Sequence, residues 1–301
     1  MRERTWHDKG EVTSVRRIVL RITLIGVLML ALGQRGEAQE DQRWSVYEAF
    51  HGTTNSAGPV FKLDNGVTYG INDHVELGGG LPLYFVNASS TSTTLASGTQ
   101  SGIGNAYVDA RFKVTGPALF TSTITGTAPT GDKDKGFSTG RATVDWNNYI
   151  AVPISRIKPF GNAGVANTVS DTAFFTRPFT SLGVVGHFEG GATVSVARYV
   201  DIGGSVYDIA PTGEQKIISK LIGRAAPVNS NRSGNAFQTS AETVGGADLA
   251  KDHGYSTWIQ LSKGSDINFQ LGYTRSAGYN LNSVFFSVGF NVSSLIQKNR
   301  S

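Results

Sequence analysis

With 301 residues, only 17% of them charged, 37 glycines and no cysteine, the chain has length for one large domain or two ordinary ones and little charge for a soluble surface. The missing cysteines exclude disulfides, thiolate metal sites and thiol nucleophiles. The net charge of +4 is no argument for a nucleic-acid partner, because residues 1–38 hold seven Lys/Arg against four Asp/Glu and so carry most of it.

Residues 1–38 have the three parts of a secretory signal peptide. Arg16, Arg17 and Arg21 form a basic end, Ile22 to Leu32 an apolar run, and Gly36-Glu37-Ala38 a small-x-small cleavage site. The apolar run is eleven residues, too short to cross a bilayer as a helix. Residues 39–301 are therefore expected to be exported as one domain.

Twelve strand-like segments follow, at 44–54, 60–71, 74–86, 103–114, 119–129, 137–152, 157–169, 179–197, 200–209, 255–263, 267–275 and 281–292. Their faces are chemically opposite. In 106–114 one face carries Ala106, Val108, Ala110, Phe112 and Val114, the other Tyr107, Asp109, Arg111 and Lys113. The same period of two runs through Val75, Leu77, Leu81, Leu83 and Phe85, through Val184, Phe188, Ala192, Val194 and Val196, and through Ile267, Phe269, Leu271 and Tyr273. In 281–292, Phe285 breaks an otherwise polar face. Connections alternate between tight turns and long polar links at 87–102, 130–136, 170–178 and 210–254. This rhythm behind an export signal predicts an all-β fold: a single antiparallel transmembrane β-barrel of about twelve strands, oily outside and polar inside, with both termini periplasmic.

Three stretches carry a resemblance: NGVTYGINDHVELGGGLPL (65–83), SGIGNAYVDARFKV (101–114) and TGTAPTGDKDKGFSTG (125–140). They resemble bacterial outer-membrane β-barrels of the phenol-degradation meta-pathway type, a transporter-like group. The resemblance covers residues 65–165 well and the region after 179 only in its rhythm. It implies a Gram-negative outer-membrane location and passage of small, often hydrophobic, compounds. Phe286 and Phe290 supply aromatic spacing near the end of the chain, where the outer-membrane assembly machinery reads such barrels.

By alternation, Glu76, Asp109, Arg111, Lys113, Arg141, Asp145, Lys158, His187, Glu189 and Asp201 project to the polar side and are the lumen-facing candidates. They read either as a charged constriction that selects solutes or as a lattice of ion pairs filling the lumen. No catalytic, metal-binding or cofactor-binding constellation is expected: there is no G-x-S-x-G elbow and no cluster of metal ligands. His187 and Glu189 share one face, but inside the barrel, where a phospholipase site would not lie. The segment Thr130-Gly131-Asp132-Lys133-Asp134-Lys135-Gly136 lacks both EF-hand spacing and the P-loop ending, and reads as a solvated hairpin tip. The 210–254 connection is long enough for a lid, and Ile217-Ile218 and Leu221-Ile222 favour its packing on the barrel.

A passive channel or uptake protein for small molecules is the reading adopted. A non-conducting structural or adhesive barrel and a membrane-barrel hydrolase are the alternatives. The expected partners are outer-membrane lipid, the assembly machinery and a small-molecule solute, with no nucleic acid; the sequence carries no sign of oligomeric state.

Overall fold

The computed structural model describes residues 44–55, 58–87, 99–133, 137–168, 180–218, 242–263 and 267–293. The leader, including its cleavage site, and Leu221-Ile222 lie outside the described residues. The strands are β1 (Trp44–Asn55), β2 (Gly58–Gly70), β3 (Val75–Asn87), β4 (Thr99–Ile103), β5 (Tyr107–Thr115), β6 (Leu119–Thr127), β7 (Thr143–Ala151) and β8 (Ile157–Thr168). They continue with β9 (Thr180–Ala197), β10 (Val200–Pro211), β11 (Gln215–Ile218), β12 (Glu242–Gly245), β13 (Asp252–Lys263), β14 (Ile267–Ser276) and β15 (Leu281–Asn291).

Strands adjacent in sequence pair antiparallel, and β1 pairs with β2 on one side and with β15 on the other. β10 pairs with both β9 and β13, so the sheet closes on itself. With β4 and β5 taken as one interrupted strand, the result is a closed antiparallel barrel of twelve strands. Closure leaves the twelve-strand ring without an edge, which is the condition for placing a sheet in lipid. β11 lies beside the start of β9 and pairs with β12, so the 210–254 connection holds a short hairpin of its own that extends the wall at one end.

The alternation that defines the strands decides which face meets lipid. Val108 is 67% exposed and Asp109 6%, and Phe112, Ile124, Val165, Val184 and Leu271 are exposed on the same outer side. Aromatic side chains cap this band at both ends. Trp44 packs on Tyr69 at 4.6 Å and the Arg198 guanidinium lies 5.1 Å over the Tyr199 ring at the end with the short turns. Tyr255 meets Tyr273 at 6.2 Å at the opposite end. Such girdles belong where apolar wall meets headgroups. Trp44 and Asn291, where the barrel strands begin and finish, are both at the short-turn end, as an even number of strands requires.

Two expected segments end differently. The segment 137–152 becomes a strand only from Thr143, because Gly140 takes a left-handed φ of 71° and Phe137, Ser138 and Thr139 are buried in the connection. The segment 103–114 is interrupted at residues 104–106.

Inward rings need room, and glycines on neighbouring strands provide it. A Cβ at Gly66 would fall 2.2 Å from the Tyr47 ring, at Gly203 2.2 Å from Trp258, at Gly272 2.3 Å from Phe285, and at Gly164 2.3 Å from His187. Each ring lies flat over the missing side chain. Gly203→Val should therefore push Trp258 off the wall and destabilise the barrel by about 1–3 kcal/mol, whereas Gly190→Ala, with nothing within 4 Å of its added methyl, should change little. The temperature at which the folded band converts to the unfolded one on a denaturing gel reads both.

Candidate functional site in the barrel interior

The interior contains a cavity of about 680 Å³ whose lining comes from strands all round the barrel. On the wall built by β1, β2, β3 and β5, charges are packed against their partners. Arg111 holds Asp109 with two nitrogens, Nε at 2.8 Å from Oδ1 and Nη2 at 3.1 Å from Oδ2. Its Nη1 also lies 4.0 Å from Glu76, which Lys113 Nζ approaches to 2.6 Å. The Tyr107 hydroxyl donates to Asp64 at 3.0 Å and is 2.5 Å from the Tyr47 hydroxyl, and Lys62 Nζ lies 3.9 Å from Asp64. Asp109 fits because Gly78 faces it across the ladder. Two-pronged guanidinium–carboxylate pairing is what allows such charges to leave bulk water.

The wall formed by β7 to β10 is different. His187 Nε2 lies 2.9 Å from Asp145 Oδ1, so the histidine turns to a carboxylate two strands away and not to Glu189, its neighbour on the same face. Glu189 makes no hydrogen bond or ion pair with any described residue. It sits in register between Asn162 and Tyr207, and Asn162 in turn faces Tyr149. The side-chain oxygens of Asn147 and Asn162 are buried and accept no hydrogen bond. Beyond them Phe160 packs on Tyr149 at 5.9 Å and on Trp258 at 6.2 Å.

The structure therefore gathers Glu76, Asp109, Arg111 and Lys113 into one network, joins Asp145 to His187, and leaves Glu189 apart. Lys158 is exposed at the short-turn end, and at the same end Asp201 accepts from Ser195 Oγ at 2.6 Å. Arg141 corrects the alternation argument. It precedes β7, is exposed, and donates through Nη2 to the Asn167 carbonyl at 2.7 Å; the left-handed Gly140 has already broken the period of two. Lys62, Asp64, Tyr47 and Tyr107 were legible by the same alternation, since Lys62 and Asp64 separate Phe61, Leu63 and Asn65. Asp252 was hidden inside the supposed loop. It is fully buried and accepts from Ser276 Oγ at 2.6 Å, Gly278 N at 3.0 Å and the Tyr207 hydroxyl at 2.9 Å. Among the described residues, no group of three or more His, Asp or Glu is placed to hold a metal ion.

At the end opposite the short turns, the connection from β6 to β7 is not a solvated tip throughout. Asp132 and Lys133 are exposed, but Phe137 is fully buried and stacks on the inward Tyr84 at 5.8 Å. The same connection repairs the interrupted strand. The Gly104 amide donates to the Pro82 carbonyl at 2.8 Å, and in an antiparallel pair the return bond would come from the amide of residue 82. Proline has none. Thr130 supplies it: its hydroxyl donates to the Gly104 carbonyl at 3.0 Å and accepts from the Ala106 amide at 2.8 Å. Leu81 and Pro82 are thus opposed by Gly104, Asn105 and Ala106, one residue more than the ladder needs, which is a β-bulge. Asn105 Oδ1 accepts from the Gly131 amide at 3.3 Å.

No protein-family profile and no curated protein sequence matches the chain. Among solved structures it is similar to an outer-membrane channel from Pseudomonas putida F1, with 13% identity, 84% of this chain and 99% of that chain covered, and a TM-score of 0.51. The NanC porin gives 8% identity over 81% of this chain and 100% of that one, with a TM-score of 0.46. The KdgM porin gives 6% over 82% and 99%, with a TM-score of 0.47. The likeness to the Pseudomonas protein is one of fold, and it places this chain among closed antiparallel barrels of the outer-membrane kind.

Thr130→Val should leave the Gly104 carbonyl and the Ala106 amide unpaired, at a cost of about 1–3 kcal/mol, and accelerate hydrogen exchange at Ala106. Adding Pro82→Ala restores the missing amide and should recover part of the loss, a coupling that a double-mutant cycle measures.

Proposed function

We propose that the protein is a passive outer-membrane channel for small molecules, with solute crossing by diffusion through the lumen. One observation carries this reading: where a soluble barrel would pack an apolar core, this one encloses a polar cavity of about 680 Å³, while its apolar side chains face outward. The connection bearing Phe137 sits at one mouth, and the β11–β12 hairpin extends the wall beside it, where the 210–254 connection would gate entry. The inward side chains Glu76, Asp109, Arg111, Lys113, Asp145, His187 and Glu189 tune which solutes pass, while Lys158, Asp201 and Arg141 act at the mouths.

The finer assignment follows the motif resemblance. Membership of the phenol-degradation meta-pathway type is supported by the way its three motif stretches meet around Pro82, Gly104 and Thr130. The leader at 1–38 supports export, and Phe286 with Phe290 supports recognition by the assembly machinery.

Refolded protein in planar bilayers should give discrete single-channel steps. A heat-modifiable, correctly folded barrel that gives none would overturn the channel reading in favour of a structural or adhesive role.

A further inference from the structure

The two walls of the lumen are electrically unequal. On the β1–β5 wall each carboxylate has its own cation: Lys62 for Asp64, Arg111 for Asp109, and Lys113 with Arg111 for Glu76. On the β7–β10 wall no such guanidinium or ammonium partner is seen for Glu189 among the described residues. Asp145 accepts from an imidazole that donates without needing a charge, and among the described residues Glu189 has no hydrogen-bond or ion-pair partner and the Asn147 and Asn162 side-chain oxygens have no donor. Within this row, Tyr149, Asn162, Glu189 and Tyr207 stand side by side in register. The Glu189 carboxylate is therefore flanked by aromatic side chains and by an unsatisfied amide oxygen. Phe160 lies two residues along β8 from Asn162, on the same face.

A species that satisfies this row must bring positive charge, several N–H donors and a surface that tolerates aromatic rings. Hydrated anions and neutral sugars bring no such charge. A protonated amine on a small apolar body brings all three: its ammonium donates to Glu189, and the tyrosine faces attract the same cation through their ring quadrupoles. A rim of carboxylate on a water-filled path also favours cations over anions in general. We infer that the lumen is cation-selective, that the permeation path follows the β7–β10 wall, and that Glu189 is its specificity-determining contact for small organic ammonium ions.

This inference rests on the channel reading, and the test separates the two. Reversal potentials are measured in planar bilayers across a KCl gradient, and phenethylammonium chloride is then added to one chamber. Wild-type channels should prefer K⁺ to Cl⁻ and lose current at millimolar phenethylammonium. Glu189→Gln should lower the K⁺ preference several-fold and raise the blocking concentration about tenfold, a change worth ~1.4 kcal/mol, while Glu189→Asp keeps both properties. Heat-modifiable mobility of each variant confirms that the barrel has formed. Steps that prefer Cl⁻, or a Gln variant indistinguishable from wild type, overturn the inference and leave the channel reading intact. Folded barrels that give no steps overturn both.

Discussion

A sheet in oil has no water to hydrogen-bond its edges, so every strand amide and carbonyl must find a partner within the chain. The seam between β1 and β15, running from the Tyr47–Asn291 pair to the Thr54–Val284 pair, meets that demand by removing the last edge. Everything else in the structure is arranged under this condition. Closure fixes the alternation, the alternation sends Val108 to lipid and Asp109 inside, and a ring of twelve strands leaves a narrow interior into which half of all strand side chains must fit. The glycines under Tyr47, Trp258, Phe285 and His187 are the local answer to that crowding: a large side chain on one strand occupies the volume its neighbour gives up.

Much of this was legible because a half-lipid, half-water strand writes its environment into every second residue. Apart from β7, which begins six residues late, the break between β4 and β5, and the β11–β12 hairpin inside the 210–254 connection, the observed strands fall within a few residues of the segments read from alternation. The apolar residues named for the outer face in 106–114 and 267–275 include Val108, Phe112 and Leu271, which the structure exposes. Legibility fails where the period is broken for a reason that lies far away in sequence. Arg141 is off the wall because of Gly140, Asp252 is inside because β13 begins three residues earlier than the apolar pattern does, and Phe137 is buried by Tyr84, a residue more than fifty positions away. The pairing of charges also escapes a one-dimensional reading. Alternation puts His187 and Glu189 on one face, but the register aligns His187 with Asn147, and only the side-chain geometry shows that the histidine reaches along the wall to Asp145.

The interior thus divides between a self-neutralised lattice and a wall with acceptor capacity to spare. Ion pairs such as Asp109–Arg111 contribute little net stability once their desolvation is counted, but they hold their side chains in fixed positions and cancel each other's field. Among the described residues Glu189 has no such partner, and its carboxylate borders the cavity. The contrast between them places a gradient of potential across the lumen as well as along it.

The bulge at residues 104–106 has a consequence for how the wall can vary. A strand in a barrel can in principle slide by two residues and keep each side chain on its own face. Here sliding β5 against β3 would break the bond from Gly104 to Pro82, while the Thr130 hydroxyl, bonded to Gly104 and Ala106 and following β6, would travel with β5. The proline and the threonine are coupled through the Gly104 carbonyl, which the one leaves without a donor and the other supplies. The order of change therefore matters: a lineage that loses the proline first frees the threonine to change, and one that loses the threonine first must tolerate a hole in the wall until an amide returns at position 82.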